Sequence, residues 1–301
     1  MRLGCRERGR VIASNLGLLR LQSGSRLIKL KRLLNTPLIL FLITIGTTFW
    51  AGYQMSTPLA KTGLLASPLE GAVTFCIGIL LVLGTHEMGH YVMAKRRGIE
   101  TTLPYFIPIP IFLGTMGAVI RMKSIPSDRD ALFDIGAAGP MLGFLVLIPV
   151  TILGISWSFA LPPEVIPGDA AVLPDPLLFQ FLSGLVGISP DTELLLHPLA
   201  LAGWVGMVVT MLNLMPVGSL DGGHVVRALF GPKYHRWISF GGAIITMLIG
   251  YWLMAILMFL FALRGHPGPM NDLVPLSPGR KLFSIVLLAI LVVSVAPLKL
   301  F

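Results

Sequence analysis

The chain has 301 residues, of which 54% are hydrophobic and 12% charged, and its mean hydropathy is +0.83. One water-soluble core cannot bury that much apolar surface, so most of the chain must face lipid. The net charge of +9 would suit nucleic acid, but most Lys and Arg residues flank apolar runs, where anionic lipid headgroups are nearer. We therefore expect no nucleic-acid partner. Cys5 and Cys76 fit neither a disulfide framework nor a thiolate site, so any metal must be held by His and carboxylate.

The first segment, residues 1–36, is basic and contains Arg residues among Leu and Ile at roughly helical spacing. This pattern is typical of a helix lying on an anionic leaflet, and equally of a solvated tail. A signal peptide is disfavoured because the basic region is too long and no convincing small-residue cleavage site follows it. We interpret the segment as a cytosolic or interfacial anchor in front of one membrane domain, residues 37–301.

Six apolar runs each have about the 20 residues that a helix needs to cross a bilayer. They lie near residues 37–54, 72–95, 131–157, 198–220, 237–263 and 281–300. The fold class predicted is therefore an all-α polytopic membrane protein of about six helices.

The distribution of charge between the runs predicts their orientation. Lys and Arg gather before the first run, after the second and after the fourth, whereas the connection over residues 158–197 is acidic and has neither. This asymmetry predicts an integral membrane protein with both termini cytosolic. The exception is the connection near residues 264–281, because six spans would place its basic residues outside: Arg264, Arg280 and Lys281.

The stretch from residue 101 to residue 124 is apolar, but three prolines exclude a regular helix there: Pro104, Pro108 and Pro110. Gly114 and Gly117 among β-formers predict a short hairpin over residues 109–122 that dips back toward the membrane. Non-helical backbone at that depth survives only against protein or water, so a cavity should lie nearby.

The second run contains the motif His-Glu-Met-Gly-His at residues 86–90. Residues four apart share one helix face, which is the spacing at which His86 and His90 can chelate zinc. Glu87 is where metalloproteases with this motif keep the general base. The motif arises by coincidence in soluble proteins, but inside an apolar span each ionisable group costs about 3 kcal/mol or more, and it usually marks a functional site.

A catalytic zinc site normally has three protein ligands, so the third should be another polar residue within the membrane. Asp221 has an apolar flank and precedes two glycines that let its backbone approach another helix. Asp221 could instead cap the helix that begins after it. Asp134 is better explained as a residue at the start of the third run.

The motif at residues 86–90, together with Asn-Leu-Met-Pro-Val-Gly-Ser-Leu-Asp-Gly-Gly at residues 213–223, resembles the site-2 protease family of intramembrane zinc metalloproteases. The resemblance covers roughly residues 37–300. It implies one Zn²⁺ per chain held by His86, His90 and Asp221, with Glu87 as base and proton shuttle. Asn213 would stabilise the oxyanion.

The stretch after the prolines is similar to the family's re-entrant β-loop, an edge strand that holds an unwound substrate. Its substrate-binding residues would be Gly114, Thr115, Met116, Gly117 and Ala118. The sequence departs from the family pattern after Gly139 and Pro140, where relatives often have an Asn, so we interpret Gly139 and Gly143 as a close helix-packing face. The resemblance is to the family's minimal form, so we expect neither the PDZ nor the CBS-type domain that some relatives carry.

The function that the resemblance implies is hydrolysis of peptide bonds within or next to transmembrane segments in regulated intramembrane proteolysis. Its partners would be single-span membrane proteins, such as tethered transcription or anti-sigma factors, in a prokaryotic inner membrane. The alternative is a transporter or channel whose ionisable residues line an ion path, although the two halves of the chain show no inverted repeat. A prenylated-protein type of protease would need a later Glu ligand, and no suitable Glu follows His90.

The remaining histidines lie near the ends of runs or in connections, where we expect water to satisfy them: His197, His224, His235 and His266. None is assigned a ligand role. His224 lies three residues after Asp221 and is a candidate to orient that carboxylate through a hydrogen bond without binding the metal itself.

Overall fold

The computed structural model describes residues 36–161, 173–189 and 193–296. Most of these residues lie in helices: α1 Thr36–Lys61, α2 Pro68–Arg96, α3 Arg129–Ser156, α4 Leu177–Val186, α5 Pro198–Leu214, α6 Asp221–Leu248, α7 Trp252–Arg264 and α8 Pro278–Val293. The strands described are β1 Tyr105–Pro108, β2 Thr115–Val119, β3 Phe159–Leu161 and β4 Glu193–Leu195. Helices α1, α2 and α3 are each long and apolar enough to cross a bilayer. The expectation of a mainly helical membrane protein is thereby confirmed, while the basic segment before α1 lies outside the described residues.

Helices α1 and α2 form an antiparallel pair because small residues let their backbones approach closely. A Cβ atom on Gly52 would lie 3.0 Å from the Cα atom of Ala72, and one on Gly71 would overlap the Ser56 hydroxyl. The start of α2 is capped by Ser67, whose Oγ accepts a hydrogen bond from the backbone N–H of Leu69 at 3.2 Å. Because α1 and α2 are antiparallel, the start of α1 lies at the same end of the bundle as the end of α2.

Helix α3 lies at the centre and packs against α2, α5 and α6. It begins after Asp128, whose Oδ1 accepts a hydrogen bond from the N–H of Ala131 at 2.7 Å. Near this start Leu132 and Phe133 pack with residues of α6 and α8, and toward its other end Leu147 packs with residues of α4 and α5. The central helix thus holds the helices that carry the two sequence motifs against each other.

A two-stranded antiparallel hairpin, β1 with β2, lies between α2 and α3. A hairpin was predicted over residues 109–122, but the first strand, Tyr105–Pro108, lies before that range. Phe106 pairs with Ala118 and Pro108 pairs with Thr115, with an irregularity between these pairs. The turn is tied to α1, since Thr47 Oγ1 donates a hydrogen bond to the carbonyl of Gly114 at 2.7 Å. A second strand pair, β3 with β4, was not predicted.

A single span was expected over residues 237–263, and this expectation is wrong. Helix α6 ends at Leu248, and Gly250 takes a φ of 99°, which glycine adopts without a Cβ clash. The chain then reverses as α7, so that Thr246 Oγ1 lies 3.2 Å from Met258 Sδ. Within α6 the helix also breaks at Gly231, where φ is 74°. The run is therefore a helical hairpin of two short segments.

An ion-pair cluster joins the end of α2 and the start of α3 to the start of α8. Asp134 is the common acceptor: Arg97 donates to it from one side, and Arg280 Nε donates to its Oδ1 at 2.6 Å. Arg280 also donates to Asp130 Oδ2 at 2.8 Å. Asp134 is thus a cross-link between helices, beyond the helix-start role expected for it.

A second cluster fixes the connection between α7 and α8 to the same end. Asp272, in that connection, accepts hydrogen bonds from Arg227 at 2.7 Å and from Arg129 at 2.8 Å. The hydrogen bonds from Arg227 and then from Arg129 hold the pKa of Asp272 below its usual range. Both clusters together place residues 265–280 beside the end of α2.

These contacts correct the orientation expected for the last part of the chain. The basic connection lies at the same end as the other basic clusters, so placing Arg264, Arg280 and Lys281 on the opposite side was wrong. Helix α8 leads away from this end and contacts α4, whereas α1 begins at it. The start of α1 and the end of α8 therefore lie at different ends of the bundle. The termini expected to be cytosolic, residues 1–35 and 297–301, lie outside the described residues.

Candidate metal centre

The two histidines of the first motif lie on one face of α2 and point into the protein. His86 is 3% exposed and His90 is 6% exposed. Because they are one helical turn apart, their rings are neighbours, with 4.9 Å between the centroids and 3.2 Å between the two Nε2 atoms. Two imidazole nitrogens thus converge on one point inside an apolar helix bundle.

Asp221 reaches the same point from another helix. It is the first residue of α6, and its Oδ2 lies 3.1 Å from His86 Nε2 and 3.2 Å from His90 Nε2. The alternative of a simple helix-capping role does not account for this convergence. Among the described residues these three form the group with metal-ligand potential, each offering one ligand atom within 4.8 Å of the others.

The spacing of the three atoms can be compared with a zinc site. Tetrahedral zinc with bonds of about 2.0–2.1 Å separates its ligand atoms by about 3.3 Å. The separations between His86, His90 and Asp221 are 3.1–3.2 Å. Two imidazoles and a carboxylate are ligands that zinc accepts, so the residues fit the metal in both chemistry and size.

A backbone contact fixes the orientation of the His90 ring. His90 Nδ1 lies 2.7 Å from the carbonyl oxygen of Ile135, which can only accept a hydrogen bond. The proton of a neutral His90 must therefore be on Nδ1, which leaves Nε2 free as a ligand atom. The sequence could not reveal this partner, because Ile135 contributes through its backbone.

Two glycines of α3 leave the space that the imidazole rings occupy. A Cβ atom on Gly139 would overlap the His90 ring, and one on Gly143 would lie 3.1 Å from the Cβ atom of His86. Close packing of backbones occurs at Gly89, where a Cβ atom would meet the carbonyl oxygen of Ala138 at 2.5 Å. The role predicted for Gly139 and Gly143 was thus incomplete, because these glycines accommodate the imidazole rings as well as the neighbouring helix.

Glu87 and Asn213 both lie at this centre. Glu87 follows His86 in α2 and is partly buried, and its side chain makes no hydrogen bond or ion pair within residues 36–161, 173–189 and 193–296. Asn213, in the last turn of α5, has its Nδ2 atom 3.4 Å from His86 Nε2. The centre thus combines three converging ligand atoms with a carboxylate that lacks a partner and an amide.

The five residues expected to bind substrate are in the hairpin, and among the described residues none of them forms a hydrogen bond with His86, His90 or Asp221. Gly114 and Thr115 are buried, and a Cβ atom on Gly114 would overlap the α1 backbone at Thr47 and Thr48. Met116, in contrast, is 72% exposed. Since β2 pairs with β1 on one side only, its other edge is unpaired within the described chain.

Histidines outside the motif are more buried than expected. His197 and His235 are each 2% exposed, and His197 Nδ1 accepts a hydrogen bond from Leu199 N–H at the start of α5. The expectation that water satisfies them is therefore wrong.

His266 accepts a hydrogen bond from Gly268 N–H at its Nδ1, and its Nε2 lies 2.6 Å from His224 Nδ1. Burial lowers the pKa of His266 to about 3. Because the Gly268 N–H can only donate, His266 carries its proton on Nε2 and donates it to His224. His224 is thereby tied to the α7–α8 connection, and the structure shows no hydrogen bond from it to Asp221 within the described residues.

Comparison with known proteins identifies relatives. The model of peptidase family M50 matches residues 74–257. The probable zinc metalloprotease EGY1 of Arabidopsis thaliana, a chloroplastic protein, is 32% identical over 237 residues, covering 70% of this chain and 42% of that protein. The chloroplastic probable zinc metalloprotease EGY2 of Oryza sativa subsp. indica is 30% identical over 235 residues, covering 72% of this chain and 42% of that protein.

Among solved structures, the site-2 protease from Methanocaldococcus jannaschii matches with 22% identity and a TM-score of 0.33, covering 67% of this chain and 82% of that one. The chain spans less than half the length of the two plant relatives. The family match covers more than half of the chain and includes both motifs. The chain therefore belongs to peptidase family M50, which confirms the family resemblance carried by the two motifs together.

Proposed function

We propose that this protein is an intramembrane zinc metalloendopeptidase. The observation that carries the proposal is the convergence of three buried ligand atoms, from His86, His90 and Asp221, beside the carboxylate of Glu87. All four residues lie among apolar helices, where ionisable side chains are costly unless they serve a function. Family membership supports the same activity.

In this proposal His86, His90 and Asp221 hold one zinc ion. When bound, zinc supplies a Lewis acid that lowers the pKa of water and polarises a carbonyl group. Glu87 takes a proton from the attacking water and passes it to the amide nitrogen, which leaves as the C–N bond breaks. Its lack of a partner in the described chain leaves the carboxylate free to do so.

Asn213 has a second role in the proposal, at the oxygen of the peptide bond under attack. Negative charge develops on that oxygen as water adds to the carbonyl carbon. The Asn213 amide is a neutral donor, and it lies 3.4 Å from His86 Nε2, close to the three ligand atoms. A hydrogen bond from its Nδ2 to the oxyanion would stabilise the charge without adding a competing positive group.

The substrate class that we propose is the membrane-spanning segment of a single-span protein, cut in regulated intramembrane proteolysis. Tethered transcription and anti-sigma factors are examples of the class, and a prokaryotic inner membrane is the location proposed. The test is to incubate purified, zinc-loaded protein in micelles with a labelled single-span segment and to map the products by mass spectrometry. Cleavage within the apolar stretch is expected, and a cut only in the soluble flanks would contradict the proposal.

In this proposal the hairpin dips back into the membrane, and the unpaired edge of β2 holds the substrate in extended form. A helical segment has its peptide groups paired internally, so it must unwind before hydrolysis. The edge strand offers replacement hydrogen bonds to the unwound backbone. Gly114, Thr115, Met116, Gly117 and Ala118 remain the proposed contacts, with Met116 the most exposed of them.

Replacing Met116 with Pro should lower cleavage about fivefold without changing the zinc content, because it removes one backbone donor worth about 1 kcal/mol. Met116→Ala is the matched control, since it shortens the side chain and keeps the donor. A Pro scan over residues 115–118 should give alternating effects, because successive N–H groups of a strand point to opposite edges. Wild-type rates in every Pro variant, measured with the micelle assay, would remove β2 from substrate capture.

Reporter fusions should place residues 98, 230 and 270 in the cytosol and residue 170 outside. The ion pairs of Arg280 and Asp272 join the α7–α8 connection to the end of α2. We therefore expect residues 98 and 270 to lie on the same side of the membrane. Basic connections remain on the cytosolic side of membranes. A cytosolic signal at residue 170, or an external one at residue 270, would contradict this topology.

A further inference from the structure

A groove runs along the outside of the bundle between α2, α3 and the start of α8. Its cavity measures about 590 Å³. The walls are mostly apolar, with Val92 from α2, Met141 and Leu142 from α3, and Phe283 from α8. Val92 and Leu142 are exposed, so the groove opens sideways, toward the region that lipid tails fill around a membrane protein.

One end of the groove is cationic. Arg96 and Arg280 line it together with Asp134. The carboxylate of Asp134 is already neutralised, because it accepts hydrogen bonds from both Arg97 and Arg280. An anion approaching this end would therefore meet little repulsion from Asp134.

Two cations at or beside this end have no carboxylate partner in the described chain: Arg96, which lines the groove, and Lys95, which precedes it and lies outside the lining. Arg96 and the preceding Lys95 are exposed and form no ion pair within the described ranges, and Lys95 lies over the Tyr91 ring at 5.8 Å. Both belong to the last turn of α2, next to the connection proposed to be cytosolic. From Asp134 to Leu142 helix α3 rises about 12 Å, so the apolar wall continues from the charged end toward the centre of the bilayer.

We propose that this groove binds one anionic phospholipid. Its phosphate meets Arg96 at the charged end of the groove, the exposed Lys95 adds positive charge beside it, and an acyl chain lies along Val92, Met141 and Leu142. Basic pockets between helices on the cytosolic side suit such headgroups. A zwitterionic lipid would also fit the apolar wall and offer its phosphate, but its quaternary ammonium group would bring a positive charge close to the two cations. The inference depends on the proposed membrane location and is independent of any catalytic step.

The test is native mass spectrometry of the detergent-purified full chain, incubated with phosphatidylglycerol or phosphatidylcholine of identical acyl chains. The wild-type protein should retain more phosphatidylglycerol. Arg96→Gln should lower that retention about fivefold, the effect of one cation near an anionic lipid surface. Arg236→Gln removes an equally exposed arginine on α6 and should leave retention unchanged.

A second pair of variants tests the groove itself. A Cβ atom on Gly279 meets nothing within 4 Å, so Gly279→Leu should fill the mouth of the groove without strain and lower retention. Gly241→Leu is the control, because a Cβ atom there also meets nothing within 4 Å and the residue is on α6.

Equal retention of both lipids, or equal effects of Arg96→Gln and Arg236→Gln, would overturn the proposal. Displacement of the lipid by excess inorganic phosphate would also overturn it, because the site would then bind a free anion. Since binding is measured without substrate, these outcomes leave the protease proposal untouched.

Discussion

Replacing Glu87 with Gln should keep the zinc content of the purified protein and lower its cleavage rate by about 10²–10⁴-fold. The amide has nearly the shape of the carboxylate but cannot accept a proton from water at neutral pH. The three ligand side chains are unchanged, and they are fixed by contacts that do not involve Glu87, such as the 2.7 Å contact of His90 with Ile135. Zinc is measured by elemental analysis and cleavage by the micelle assay.

Glu70→Gln is the matched control, because Glu70 is an exposed glutamate on the same helix, in its first turn. Its cleavage rate should equal that of the wild type. If Glu87→Gln cleaves as fast as Glu70→Gln, another group activates the water and the role proposed for Glu87 is lost. A fall in zinc content together with the rate would instead make Glu87 part of the metal-binding unit.

Replacing His90 with Ala should remove most of the bound zinc, and cleavage with it. The variant loses one of three ligand atoms and leaves His86 and Asp221 as two ligands, fewer than catalytic zinc sites normally have. After dialysis against metal-free buffer, elemental analysis should give about one zinc per chain for the wild type and a small fraction of that for the variant.

His197→Ala is the control for this loss, since His197 is equally buried but lies at the start of α5, away from the centre. It should retain zinc. Circular dichroism separates loss of metal from loss of fold in both variants. Unchanged zinc in His90→Ala would contradict the ligand set and reopen the alternative of an ion path, which requires no bound metal.

The first three spans and the chemistry of the centre could be predicted from sequence, each for a physical reason. A long uninterrupted apolar run gives a helix apolar side chains on every face, and such a helix is stable when lipid surrounds it. The spacing of His86 and His90 places them on one helix face wherever that helix lies. Asp221 was predictable because few acidic residues have apolar flanks, although its 3.1 Å approach to His86 depends on the folded chain.

The hairpin of α6 and α7 could not be predicted in the same way. Hydropathy averages over a window, and the turn at Gly250 is flanked on both sides by apolar residues that keep the average high. The misplacement of Arg280 followed from this error, because one missed reversal moves every later connection to the other side. The basic residues near 264–281 were the signal that the count was wrong, since they broke the charge asymmetry of the other connections.

The packing of His90 against α3 gives residue 139 a use in comparing sequences. Any side chain at Gly139 would occupy the volume of the His90 ring, so a homologue with a larger residue there must move the imidazole or the helix. We therefore expect a homologue with a larger residue at position 139 to lose metal binding unless the imidazole or the helix has moved, even where it keeps the full His-Glu-Met-Gly-His motif.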